Sequence, residues 1–388
     1  MLKLFSLFFS LLAFSFFPGL SHAAAQPLPL KLAAHPSLKE VKIFNGENRK
    51  HLAYEIYVEN FDTKPILLQE FEIREIYNSG KRQEHKFKGE ELKKMYSSIS
   101  GDPLKIQDPI LKPGEAAVLY IFLDYSSFST ENPILLEHKL QIKAADASLE
   151  SFNVSFPAIK ISELPVVQLS PPLKGKNWFT PNGPANNSIH RRVIIPLDGT
   201  PRVPERFAVD WVKIGENGFT YQGDPSKNES YHAYKSPIYA AAPGKVIAVK
   251  DGIPENTPTS KSMAVPINLE TIGGNYVMVH LGSHQYAFYA HLIPGSIKVK
   301  TGDILKSGDP IALLGNSGNS TEPHLHFHII DNEDPLRGEG RAFELNQFTH
   351  INYEMKLDEK EDPIYFKAKD SQSFKKQSFM NMELANFE

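Results

Sequence analysis

The segment Gly315-Asn-Ser-Gly-Asn-Ser-Thr-Glu-Pro-His324-Leu-His326-Phe-His328 carries the densest chemistry in this chain. A glycine-rich turn runs into a short alternating stretch. Residues i and i+2 of a strand share a face. His324, His326 and His328 therefore point one way, and Leu325 and Phe327 point the other way, into a core. Imidazoles side by side on one strand suit a metal site, where one nitrogen binds the ion while a neighbour handles protons. A lone strand histidine reads as structural. A His-x-His pair after a glycine-rich turn reads as functional.

Upstream, Tyr286-Ala-Phe-Tyr289-Ala-His291-Leu292 is an apolar strand that ends in a histidine. Strands are expected near 189–196, 206–214, 237–249, 274–281, 284–291 and 323–330. The polar loop Lys250 to Gly273 is long enough to be a functional rim. The preceding half reads as short strands between turns: His51 to Glu59, Ile66 to Tyr77, Ala116 to Asp124, Leu136 to Ala144 and Ser151 to Phe156. A short helix is expected within Gly89 to Ser98. Nothing catalytic clusters there. Between the halves, five prolines fall within Leu164 to Pro184.

The fold class is therefore mostly β: an N-terminal immunoglobulin-like β-sandwich plus a C-terminal antiparallel β domain with a groove. The expected layout is a signal peptide over 1–23, the sandwich over 24–165, a Pro-rich linker over 166–188, the histidine-bearing domain over 189–345 and a tail over 346–388. The tail carries the charge run Lys356 to Asp362, expected to be solvated.

Leu4 to Phe17 is a run of fourteen uncharged residues, broken by Pro18-Gly19 and followed by Ser21-His22-Ala23. That is a secretory leader, and it is too short to span a bilayer. The expectation is an exported protein, in periplasm or medium. Its 42 basic and 45 acidic residues leave a net charge of −3, without the basic excess of a nucleic-acid binder. Zero Cys excludes a lipidated cysteine anchor, disulfides, thiolate metal sites and cysteine catalysis. A metal would be held by His and carboxylates.

Asp210, the Ala240-Ala-Ala-Pro-Gly244-Lys-Val246 turn, Gly274-Asn275-Tyr276, Tyr289-Ala-His291-Leu292, the Val299-x-x-Gly302-Asp303 hairpin and Pro323-His324-Leu-His326-Phe327 follow one another in a telling order. Residues 189–345 thereby resemble the lysostaphin/LytM-type zinc metallopeptidases. The resemblance implies a grooved antiparallel β fold and one Zn2+. It makes Asp210 and His326 metal ligands, with His291 and His324 flanking the attacking water. Such a site needs three protein ligands and an open position.

One position departs from the pattern. The family commonly has His-x-x-x-Asp, and here Arg206 stands four residues before Asp210. Arginine is permanently charged and cannot bind zinc. His190, on the expected strand before the Pro196-Leu-Asp-Gly-Thr-Pro turn, is the first candidate for the missing ligand, by pairing beside Asp210. His232 is the second, and an absent third ligand remains open. The resemblance implies an exported zinc metalloendopeptidase that hydrolyses peptide bonds of peptidoglycan, its partners being peptidoglycan peptides. The alternative is a metal-free LytM-type module that recognises cell wall or activates a wall amidase. A sugar-phosphotransferase or biotinyl-like carrier shares the Ala-x-x-Gly-x-Val turn, but the leader and the His-x-His strand argue against it.

Overall fold

The computed structural model describes residues 30–145, 150–357, 363–366 and 370–388. The expected signal peptide lies outside the described residues. So does most of the charge run in the tail.

The chain is nearly all β. Its N-terminal part forms two sheets. One has the order Leu32–Pro36, Arg49–Asn60, Ala116–Ser126, Tyr96–Ser98; the other runs Glu40–Val41, Phe152–Ile161, Leu135–Ala144, Ile66–Ile76, Arg82–Lys88. Between them lies one core that includes Leu52, Tyr54, Ile56, Phe71, Ile73, Leu119, Ile121 and Leu140. The expected helix forms at Glu90–Met95.

Two strands of this sandwich are buried on both faces, and period-2 alternation shows why. In Arg49–Asn60, Leu52, Tyr54, Ile56 and Val58 enter the sandwich core. Ala53 and Tyr57, on the other face, pack against Phe207 and Ile194 of the C-terminal part. In Ala116–Ser126, Leu119 and Ile121 point inward while Val118 and Tyr120 meet Ile194. The uninterrupted apolar run AAVLYIFL is the signature of a strand covered on both sides.

Among the described residues, the C-terminal part is built on a twelve-stranded sheet. Its central order is Leu384–Phe387, Gly175–Asn182, Val209–Lys213, Leu325–Ile330, Gln285–Leu292, Asn275–Gly282, Gly244–Lys250. Trp178, Trp211, Tyr289, Phe327 and Phe387 fill its core.

Three expectations are corrected here. Residues 166–188 are not a surface linker. Val167–Leu169 pairs in parallel with Phe343 to Leu345, and Gly175–Asn182 lies inside the sheet between Val209–Lys213 and Leu384–Phe387. Pro171 and Pro172 fall between those strands. Pro181 sits where the register slips between Phe179 and Asn182, a place where a missing N–H is tolerated. Residues 346–388 are likewise not a loose tail. Leu384–Phe387 supplies a strand, and the buried Phe379 and Phe387 join the core.

The third correction concerns residues 189–196. Ile189–Arg192 is a four-residue helical turn, not a strand. Ile195–Leu197 then makes its own hairpin with Thr200–Arg202, turning at Asp198-Gly199, both with positive φ. That is the two-residue Asp-Gly turn. The hairpin folds back on itself and does not pair beside Asp210.

Candidate metal centre and groove

Sheet register places most of the centre. Asp210 is the direct partner of His326, Asn182 is the partner of Asp210, and Ala290 is the partner of His326. Four neighbouring strands thus bring Asn182, Asp210, His326 and the end of the His291 strand into one row. Asp210 Oδ1 lies 3.0 Å from His326 Nδ1. Asn182 Nδ2 donates to Asp210 Oδ2 at 3.1 Å.

His190 reaches the same carboxylate from the helical turn, with its Nε2 3.2 Å from Asp210 Oδ2. The ligand atoms of His190, Asp210 and His326 all lie within 4.8 Å of one another. Two imidazoles and one carboxylate are a donor set of the type that hydrolytic zinc sites use, and the residues present fit such an ion. A second group, Glu205, His326 and His328, meets the same limit. His232 belongs to neither. Its ring lies against Gly215 instead, where an added Cβ would come within 2.2 Å of Nε2.

His291 and His324 stand beside this trio, ring centroids 4.7 Å apart. His291 Nδ1 lies 2.8 Å from the Ser317 carbonyl, so the proton sits on Nδ1 and Nε2 keeps its lone pair. His324 Nδ1 is bound in the same way by the Glu322 carbonyl at 2.8 Å. His291 has φ 63°, in the left-handed region that a bulky side chain rarely occupies. Gly274 explains how it is held there. Gly274 has φ 60° and a Cβ on it would come within 2.4 Å of the Ser317 carbonyl oxygen. That closeness lets the Gly273–Asn275 segment lie against the Ser317 turn, with His291 N–H donating to the Gly273 carbonyl at 3.0 Å.

The electrostatics divide these groups. Burial would raise the Asp210 pKa, but His190 and His324 hold it well below the usual carboxylate range. Burial alone would lower His190; the Asp210 carboxylate outweighs it and pushes His190 up to about 9. His324 is raised for the same reason, against burial. His291 is pushed well down by burial and then by His324 and His326. The pair beside the trio therefore holds one neutral imidazole and one inclined to keep its proton.

These side chains open onto a groove of about 730 Å3. Ile189, Val193 and Ile195 line it, together with Leu269 and Ile272 of the long polar loop and Tyr276 of the strand that follows. Charged groups of both signs, including Glu270, Asp334, Lys250 and Arg337, stand around it.

Arg206 is not in the centre. It is fully buried and faces the sandwich, where it grips Glu55 through Nε at 2.9 Å and Nη2 at 2.6 Å and also meets Glu339 at 2.6 Å. Arg206 is used here for an ion pair between the two parts of the chain. Sequence reasoning missed Asn182, because five prolines masked the alternation of Trp178-Phe-Thr180. It also missed Glu205, which has no motif.

Residues 230–337 match the model of peptidase family M23, and the match spans His291, His324 and His326. This segment is an M23 peptidase-family domain. The match to the M23 model begins after His190 and Asp210, so two of the three donors lie outside it. The chain is 32% identical over 101 residues to the peptidoglycan DD-endopeptidase ShyB of Vibrio cholerae, covering 26% of this chain and 19% of that protein. It is 38% identical over 88 residues to an uncharacterized metalloprotease of Haemophilus influenzae, covering 22% and 18%. The chain thus spans about a fifth of the length of these relatives. Among solved structures, the catalytic domain of lysostaphin from Staphylococcus simulans aligns at 23% identity over 32% of this chain and 86% of that one, with a TM-score of 0.21. The sandwich and the His190 turn lie outside the segment that matches the M23 model.

Proposed function

We propose that this chain is an exported zinc metalloendopeptidase that cleaves peptide bonds of peptidoglycan. The observation that carries the reading is the convergence of His190, Asp210 and His326 at the floor of the groove, with His291 and His324 beside them. Similarity to peptidoglycan endopeptidases supports the substrate class, and the leader-like N-terminus supports export.

In this reading His190, Asp210 and His326 hold the ion. A bound zinc acidifies its water and polarises the scissile carbonyl. His291, neutral and with Nε2 free, accepts the proton of the attacking water. His324 donates a hydrogen bond to the oxyanion of the tetrahedral intermediate and then passes a proton to the leaving amine. Asn182 keeps Asp210 oriented. The groove binds an extended peptide, and its mixed charges suit a substrate that carries both amines and carboxylates.

The test pairs a metal analysis of the purified protein with a turbidity assay on purified sacculi. About one zinc per chain and zinc-dependent clearing support the reading. A metal-free chain that leaves sacculi intact overturns it in favour of a binding module. Arg206, in the place of a ligand, is the observation that favours that second reading, although its side chain turns away from the centre.

A further inference from the structure

The reading of His190 as a ligand raises a physical difficulty. It sits on a helical turn of four residues, and so short a helix does not hold itself together. Its N-cap, Ser188, makes no side-chain capping bond. Its ring meets Asp210 and His326, but its backbone is held by no ladder.

The two residues after His190 supply the answer. Arg191 is 1% exposed and packs against the outer face of the sandwich, beside Glu55, Tyr120 and Phe122. Its Nη2 donates to the carbonyls of Tyr54, at 2.9 Å, and Ile121, at 2.6 Å. Arg192 donates from Nε, Nη1 and Nη2 to the carbonyls of Asn186, Pro103 and Lys94, at 2.8, 3.3 and 2.7 Å. Its guanidinium also lies over the Tyr120 ring, 4.4 Å from the centroid. Four of those five carbonyls belong to the N-terminal part. A planar fork with several rigid donors fixes orientation in a way that a single ammonium does not.

One carboxylate joins both ligand-bearing elements. Glu55 lies 3.4 Å from Arg191 and is gripped by Arg206. Arg191 follows His190, and Arg206 precedes Asp210 by four residues. The strand Arg49–Asn60 therefore references both ligands to one buried group.

We propose that the N-terminal sandwich is a working part of the metal centre: through Arg191, Arg192 and Glu55 it positions His190, which stands on a short helical turn outside the M23 segment. Arg191 and Arg192 are positioning residues, acting on the metal through His190. The proposal rests on His190 being a ligand.

The experiment uses the full chain and reads zinc affinity by competition with a chromophoric chelator. The visible spectrum of the cobalt(II)-substituted protein is the second readout. The variants are His190→Ala, Arg191→Gln, Arg192→Gln, Arg192→Lys and the double variant His190→Ala/Arg192→Gln. Circular dichroism reports whether each is folded. Arg191→Gln and Arg192→Gln should weaken zinc about 10- to 100-fold, the range typical of groups that orient a ligand. Their cobalt spectra should shift toward that of His190→Ala, which a merely structural role would not cause. The double variant should bind no more weakly than His190→Ala, because the arginine then has nothing to position. If a Gln variant fails to fold, Arg192→Lys decides, since it keeps the charge and stem but not the fork. A tenfold weaker affinity there supports the proposal; unchanged affinity and spectrum overturn it. Unchanged zinc binding in His190→Ala instead overturns the ligand reading itself. Loss in His190→Ala with wild-type behaviour in folded arginine variants overturns only the role of the sandwich.

Discussion

The candidate ligands come from two kinds of structure. Asp210 and His326 face each other across a ladder, and their separation follows from strand register. His190 stands on a turn with no ladder and meets them through contacts with another part of the chain. Ladder geometry is local and repeats with every residue pair, so it tolerates changes elsewhere. The His190 turn depends on long-range contacts and fails with them. The same difference separates the segment that matches the M23 model from the sandwich, which lies outside that match.

The harshest way to break the ladder half is to remove a donor. Asp210→Ala or His326→Ala should weaken zinc by more than about 100-fold, beyond the usual effect of an orienting group. Zinc content after gel filtration checks this. His291→Ala should keep zinc yet slow sacculus hydrolysis ~100- to 10,000-fold, as loss of a positioned acid–base group does. Zinc bound with wild-type hydrolysis would remove His291 from the mechanism.

The second half is broken from the far side. Glu55→Ala leaves Arg191 and Arg206 buried beside one another without their shared carboxylate. Breaking a buried pair from one side costs about 3–5 kcal/mol. Urea unfolding should show that loss, and zinc affinity should fall with it. A mild effect on stability would mean that the interface is held mainly by its apolar contacts.

The smallest expected effect sharpens the comparison by isolating the sandwich. Burial drives His138 down to about 4, and its Nε2 accepts from the Tyr54 hydroxyl at 2.9 Å. A histidine whose folded pKa is depressed contributes stability that is present above its unfolded value, about 6.5. That contribution is lost as pH falls toward 4. Between pH 7 and 5 the loss should be about 2 kcal/mol. Unfolding free energies from urea titrations of the wild type and His138→Gln should converge by that amount at the lower pH. Parallel curves would show that His138 does not set the acid sensitivity of this half.

Much of the M23 domain was legible from its residues. Alternation around Leu325 and Phe327 announces a strand with three histidines on one face; the structure has the strand at Leu325–Ile330, carrying His326 and His328, while His324 stands just before it. The Tyr289-Ala-His291 segment is likewise a strand end, and the glycine-rich turn before His324 does bring Ser317 against His291. The apolar runs of the sandwich were legible as strands, though not as strands covered on both faces.

Other features were misread for specific reasons. Prolines hid Gly175–Asn182, because their density suggested a linker while their positions, between strands and at a register slip, are compatible with a sheet. The apolar run Val193-Ile194-Ile195 pulled the reading of Ile189–Arg192 toward a strand. Arg206 read as a defect in a metal site and proves to be half of a buried ion pair.

By itself the sequence determined the periodic part of this protein: strand faces, turns and the side chains a strand presents together, since alternation and turn chemistry act over a few residues. Only the tertiary structure decided that His190 meets Asp210 and that Arg206 does not. Both facts depend on Glu55, Tyr54 and Ile121, which stand 70 to 151 residues away along the chain. No local pattern encodes a contact at that distance. It forms because two buried arginines, Arg191 and Arg206, meet the same buried Glu55 carboxylate.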